Sequence, residues 1–136
     1  MNKNLFKSFS KREESSLIHR MGLYGDYFPA IKEGKKSIEV RLNDEKRRKI
    51  KIGDVIEFIK VPQQDDILRV EVVNLRRYDT FKAMYTDISL KDAGCEGWTI
   101  KEMIDGTYDI YTPGQEERWG TLAITIKYLS SESDSE

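Results

Sequence analysis

"SIEVRLN", residues 37–43, decides the fold. Ile38, Val40 and Leu42 alternate with Ser37, Glu39 and Arg41, and a period of two marks a strand with one apolar face. Its flanks are charged. Upstream, "IKEGKK" (31–36) reads as the end of a short helix stopped by Gly34, a residue suited to the left-handed turn after a helix. Downstream, "DEKRRKIKIGD" (44–54) is a polar connection that closes on the turn signal Gly53-Asp54. These charges form either a solvated surface or a cleft for a nucleotide or an RNA.

Working outward, "LIHRMGL" (17–23) reads as a first strand, and Asp26 can cap a helix through about Lys32. "VIEFIKV" (55–61) and "ILRVEVVNLRRY" (67–78) read as strands joined by the turn "PQQDD", and "TLAITIKYL" (121–129) closes the set. Asp79 can cap "TFKAMYTDI" as a helix, while "SLKDAGCEG" (89–97) is loop. Thr99 and Glu102 form a capping box, with Trp98 and Met103 at the staple positions, opening a helix that runs to about Tyr108–Tyr111. "TPGQEERWG" (112–120) reads as loop, and no internal repeat is present. The pattern predicts an α+β domain: a small, partly closed antiparallel or mixed β-barrel of about five or six strands with two or three flanking helices, since closing the sheet removes its exposed edges. Ile38, Val40, Leu42, Phe58, Leu122, Ile124 and Ile126 are its expected core.

With 136 residues, 38% hydrophobic and 35% charged, the chain suits one globular domain. No apolar run approaches the roughly 18–20 residues that cross a bilayer, and "MNKNLFKSFSKREESSL" lacks the apolar centre of a signal peptide. A single cysteine, Cys95, forms no internal disulfide, so a reducing cytoplasm is the expected location. Residues 1–16 are expected to be a flexible lead-in, 17–129 the domain, and 130–136 a disordered acidic tail. Net charge is −1, yet residues 31–51 hold nine Lys or Arg against four acids, whereas 87–117 hold eight acids against two lysines. A basic face and an acidic face are hidden in the neutral total, and local charge is what steers a ligand.

Lys36, Glu39 and Arg41 are the first candidate site. Glu39 and Arg41 lie two apart on one strand face, about 7 Å between side-chain origins. A Lys and an Arg beside one carboxylate can hold a phosphate or a base edge; the alternative is an exposed face laced with weak ion pairs. Lys46, Arg47, Arg48 and Lys49 can contact phosphates or simply be solvated, and no aromatic residue interleaves with them to stack bases. Glu96, just ahead of a helix N-cap, can bind a base edge, move a proton, or stay in solvent. Glu116, Arg118 and Trp119 offer polar groups next to the last strand, or a turn in which Trp119 packs on the barrel end. Cys95 and His19 are the one thiol and the one imidazole, with no third group announcing a triad. No His/Cys spacing suits a metal and no glycine-rich phosphate loop is present, so no metal or cofactor is expected.

Four stretches in series, "GKKSIEVRL", "IKIGDVIEF", "YDTFKAM" and "YTPGQEERWGTLAITI", resemble the ASCH domain (activating signal cointegrator homology) over about residues 17–129. The most telling pieces are the Gly-x-Lys-x-x-Glu-x-Arg string from Gly34 to Arg41 and the later Gly53-Asp54. The resemblance implies a barrel of the PUA-like superfamily, a polar cleft lined by Lys36, Glu39 and Arg41, and RNA or a nucleotide-like molecule as ligand. One bacterial branch of the superfamily removes the acetyl group from N4-acetylcytidine with a Lys, a Thr three residues on, and a Glu before a later helix. Lys36 and Glu96 match the outer two; Glu39 stands at the Thr position, replacing a hydroxyl with a charge. A hydrolase of that kind, or a ribonuclease, is the alternative reading. Oligomeric state is open.

Overall fold

The computed structural model describes residues 17–132. Five strands form one sheet: β1 (Ile18–Tyr24), β2 (Ile38–Leu42), β3 (Val55–Val61), β4 (Ile67–Tyr78) and β5 (Thr121–Ser131), in the order β1-β3-β4-β5-β2. β1 runs parallel to β3 and every other pair is antiparallel. Four short helices accompany them: α1 (Phe28–Lys32), α2 (Phe81–Asp87), α3 (Ile100–Thr107) and α4 (Pro113–Trp119). The sheet curls into a half-barrel. Its outer strands, β1 and β2, do not pair, but they come within side-chain reach: Arg41 and Lys46 donate to the Gly22 and Arg20 carbonyls of β1, each at 2.7 Å.

The alternation of "SIEVRLN" has a purpose that one apolar face does not capture, because the sheet buries both. On the inner face Phe58, Leu68, Val70, Val72, Leu122, Ile124 and Ile126 meet Phe28 and Ile31 of α1. On the other face Ile38, Leu42 and Ala123 pack under Phe81, Met84 and Tyr85 of α2 and Met103 of α3. The register of β2 on β5 sorts them: Val40 opposes Ala123, whereas Glu39 opposes Ile124 and Arg41 opposes Leu122. Glu39 and Arg41 therefore share the inner face with the larger core. Of the seven expected core residues six are buried, and Val40 is half-buried beneath the helices.

Several local expectations need correction. "TPGQEERWG" is a helix, not a loop: Thr112 and Gln115 form a capping box and Pro113 occupies the first turn, where its missing N–H costs nothing. Gly120 ends that helix at φ 72°, where an added Cβ would lie 2.7 Å from the Tyr78 carbonyl oxygen, so only glycine lets β5 begin there. Thr80, rather than Asp79, caps α2 by accepting from Ala83 N. Asp26 caps nothing; a 3-10 turn over Gly25–Tyr27 leads into α1 without a side-chain cap. The capping box of α3 is present, yet Trp98 is 53% exposed and takes no part in the core. At the carboxyl end β5 runs through Ser131, and Arg69 pairs with Glu132 at 2.9 Å. Residues 1–16, expected as a lead-in, and 133–136 of the acidic tail lie outside the described residues.

Candidate functional site

The Gly34 turn, at φ 77°, ends α1 and delivers Lys36 to the start of β2. There the chain is clasped by the loop before α3: Ser37 N and Ile38 N both donate to Asp92 O, at 2.8 and 3.0 Å. Gly94 of that loop sits 3.2 Å, measured from an ideal Cβ, from the stem of Lys36, and its φ of +82° is left-handed. A side chain there would press on the lysine stem and strain the backbone.

Lys36 is 4% exposed, and its ammonium spends its three donors inward: on Ile38 O and Ala93 O, both at 2.8 Å, and on Glu39 Oε1 at 3.1 Å. The Tyr27 ring lies beside it, with Nζ 5.2 Å from the centroid. Glu39, 7% exposed, uses its second oxygen to accept from Arg41 Nε at 2.7 Å. Arg41 then reaches across the mouth of the half-barrel to Gly22 O. Lys36, Glu39 and Arg41 thus form one cation–anion–cation chain, buried at Lys36 and Glu39 and half-buried at Arg41, whose outer end rests on a neutral carbonyl.

Burial shapes the chemistry of the neighbours. The Cys95 thiol is pushed up chiefly by burial, with Glu39 adding to the rise and Lys36 opposing it; its Sγ sits 3.7 Å from Ala93 O. A thiol held protonated is a poor nucleophile. Tyr27 is raised by burial and by Cys95 and Glu39, and Tyr85, beneath the helices, is pushed up to about 12 by burial despite its bond to Thr107. His19 belongs to a separate assembly: its Nε2 lies 2.8 Å from Asp54 Oδ2 at the start of β1.

The other predicted residues are dispersed. Lys46 reaches Arg20 O beside the Arg41 bridge. Arg47 pairs with Asp44 at 2.9 Å, and Lys49 is exposed. Arg48 turns to the far end of β2, where it donates to Asn43 O and Trp119 O and lies over the Trp119 indole. Glu96 is exposed on its loop, and no hydrogen bond or ion pair joins it to Lys36 among the described residues. Glu116 is buried and serves the fold: it accepts from Phe81 N and Tyr108 OH, each at 2.7 Å. With Arg48 it lines a cleft of about 650 Å³ at the carboxyl end of β2, which Lys36, Glu39 and Arg41 do not reach. Sequence reasoning missed Tyr27 and the Asp92–Gly94 clasp. Only Gly94 carried a signal, as a glycine in a loop, because the clasp acts through carbonyls common to all residues.

A curled five-strand sheet whose edge strand carries this charged chain, with helices over its other face, defines a PUA-like α+β domain. A sequence model of the ASCH domain matches residues 21–130, and the chain belongs to the ASCH domain family. It is similar to the crystal structure of the hypothetical protein PH0355 (36% identity, TM-score 0.73, covering 82% of this chain and 99% of that one). It is also similar to the solution structure of protein PF0455 from Pyrococcus furiosus (36% identity, TM-score 0.67, covering 83% and 98%). The ASCH protein of Zymomonas mobilis shares the fold at 14% identity, with a TM-score of 0.54 over 84% of this chain and 71% of that one. A search of curated proteins found no significant match. No helix among the described residues is long and apolar enough to cross a membrane.

Proposed function

We propose that this ASCH-domain protein binds RNA or a nucleotide-like ligand along the slot between β1 and β2. The observation that carries the reading is where two cations end. Arg41 and Lys46 bridge the slot to Gly22 O and Arg20 O, so their outward bonds go to neutral carbonyls. A phosphate oxygen is a stronger acceptor than a carbonyl for a guanidinium or an ammonium, so an anionic backbone entering the slot exchanges one set of bonds for a better one. Lys36 and Glu39, buried behind Arg41, fix its direction rather than touch the ligand. Arg41 is thus the contact and the rest of the motif its mount.

The hydrolase reading has less support. Lys36 spends its donors on the fold, and Glu96 is exposed with no bond to it. The test is fluorescence anisotropy of short labelled single-stranded RNAs across a salt series. Arg41→Ala and Lys46→Ala should each weaken binding whatever the sequence and lower the salt slope by about one ion. Unchanged affinity and slope in both variants would contradict the proposal.

A further inference from the structure

The cleft at the carboxyl end of β2 is separate from that slot, and its walls carry an unusual set of unspent groups. The side chains of Arg77 and Arg118 make no hydrogen bond or ion pair among the described residues, and Arg48 is pinned to two carbonyls. Both Arg48 and Arg118 lie over the Trp119 indole, 5.2 and 4.7 Å from its centroid. Among the described residues that ring is the one partner of the Arg118 side chain, so it is the guanidinium free to leave it. Asn43, 8% exposed, has an Oδ1 with no hydrogen-bond partner, an arrangement that buried acceptors rarely keep without a ligand or water to satisfy them. Asn43 is also one of the residues that line the cleft.

Acids stand opposite the arginines. The Glu116 carboxylate is taken up by Phe81 N and Tyr108 OH, but Asp79 and Glu117 line the cleft and are exposed. A bare inorganic anion gains little where carboxylates answer the guanidiniums. A molecule that carries an anion, an aromatic ring and N–H or O–H donors uses all three kinds of wall. We propose that this cleft is a second binding site, which takes a nucleotide: its phosphate on Arg77 and Arg118, its base on the Trp119 indole in place of Arg118, and its base or ribose donors on Asp79, with the Asn43 side chain beside them. In the free protein the Arg118 guanidinium occupies the place of the base.

Trp119 reports the test directly, since the sequence holds two tryptophans and Trp98 can be removed by Trp98→Phe. In that background, nucleoside 5′-monophosphates should quench the remaining emission saturably, after inner-filter correction. Arg77→Ala and Arg118→Ala should each raise the midpoint by about tenfold, the usual scale for a charge-assisted bond. Inorganic phosphate should displace the nucleotide only at far higher concentration. Arg41→Ala, at a residue that does not line this cleft, should leave the quenching unchanged even where it weakens RNA binding in the slot, so the two sites fail independently. Absent or unsaturable quenching, equal competition by inorganic phosphate, midpoints unmoved by both arginine variants, or loss of quenching in Arg41→Ala would each overturn the second site.

Discussion

Replacing Glu39 with Gln removes one negative charge from between a buried cation, Lys36, and a half-buried one, Arg41, while keeping the shape of the side chain. Lys36 and Arg41 would face each other with side-chain exposures of 4% and 13% and no anion between them. Breaking a buried ion pair by removing one partner costs about 3–5 kcal/mol. Here Lys36 keeps Ile38 O and Ala93 O, and Arg41 keeps Gly22 O, so the cost should fall near the lower end, about 3 kcal/mol. Unfolding entropy near 2.1 cal/mol/K per residue gives a chain of this length roughly 0.3 kcal/mol/K, and Glu39→Gln should lower Tm by about 10 °C. Scanning calorimetry measures this, with the double variant Lys36→Met/Glu39→Gln as the control. Removing one stranded cation as well should recover part of the loss, the remainder being the Ile38 and Ala93 carbonyls left without their donor. A fall in Tm of less than about 3 °C would refute the buried-chain reasoning.

Thr112→Ala should cost about 1 kcal/mol in a urea titration, because Thr112 caps the helix that forms one wall of the second cleft; no effect would place that helix outside the stable fold. Ile124→Ala, wholly buried on the inner face, should cost about 2–5 kcal/mol by the same titration. Gly120→Ala should be more damaging than an ordinary surface change, because its Cβ would strike the Tyr78 carbonyl, and soluble yield together with Tm reads the loss. Stability should also fall in acid. Arg69 first, then Arg20, hold the Glu57 carboxyl below its usual range, and hydrogen bonds from His19, Lys51 N and Leu17 N lower Asp54 despite the opposing effect of burial. A carboxyl depressed in the folded state adds stability that is complete above its unfolded titration and fades as pH drops through the folded one. Urea midpoints should therefore decline below the ordinary carboxylate range, and Glu57→Gln should flatten that decline; an unchanged slope would contradict it.

The strands were legible because each carries a period of two or a β-branched run long enough to survive noise. β2 shows the limit of that signal. Both of its faces are buried, yet Glu39 and Arg41 are polar, since a charge can be buried when a neighbour neutralises it; the residues therefore read like a half-exposed strand. The helix at Pro113–Trp119 was hidden by its composition. Pro and Gly in the first turn suggest a loop, while the Thr112–Gln115 box that overrides them spans only four residues. The motif lysine was found by its chemistry but not by its direction. No residue pattern states that Ala93 and Ile38 carbonyls will surround it, because that depends on a loop some 57 positions away. The basic run divided for a similar reason: Lys46 stays at the slot, whereas Arg48 is drawn to the far cleft by the Trp119 indole.

Mapping backbone amide shifts during titration with a short single-stranded RNA tests the central claim most directly. The account predicts saturable shifts centred on Gly22, Arg41 and Lys46, the residues that bridge β1 and β2, and their loss in Arg41→Ala while the fold persists. Shifts confined to the helices over the opposite face, or none at saturating RNA, would contradict it.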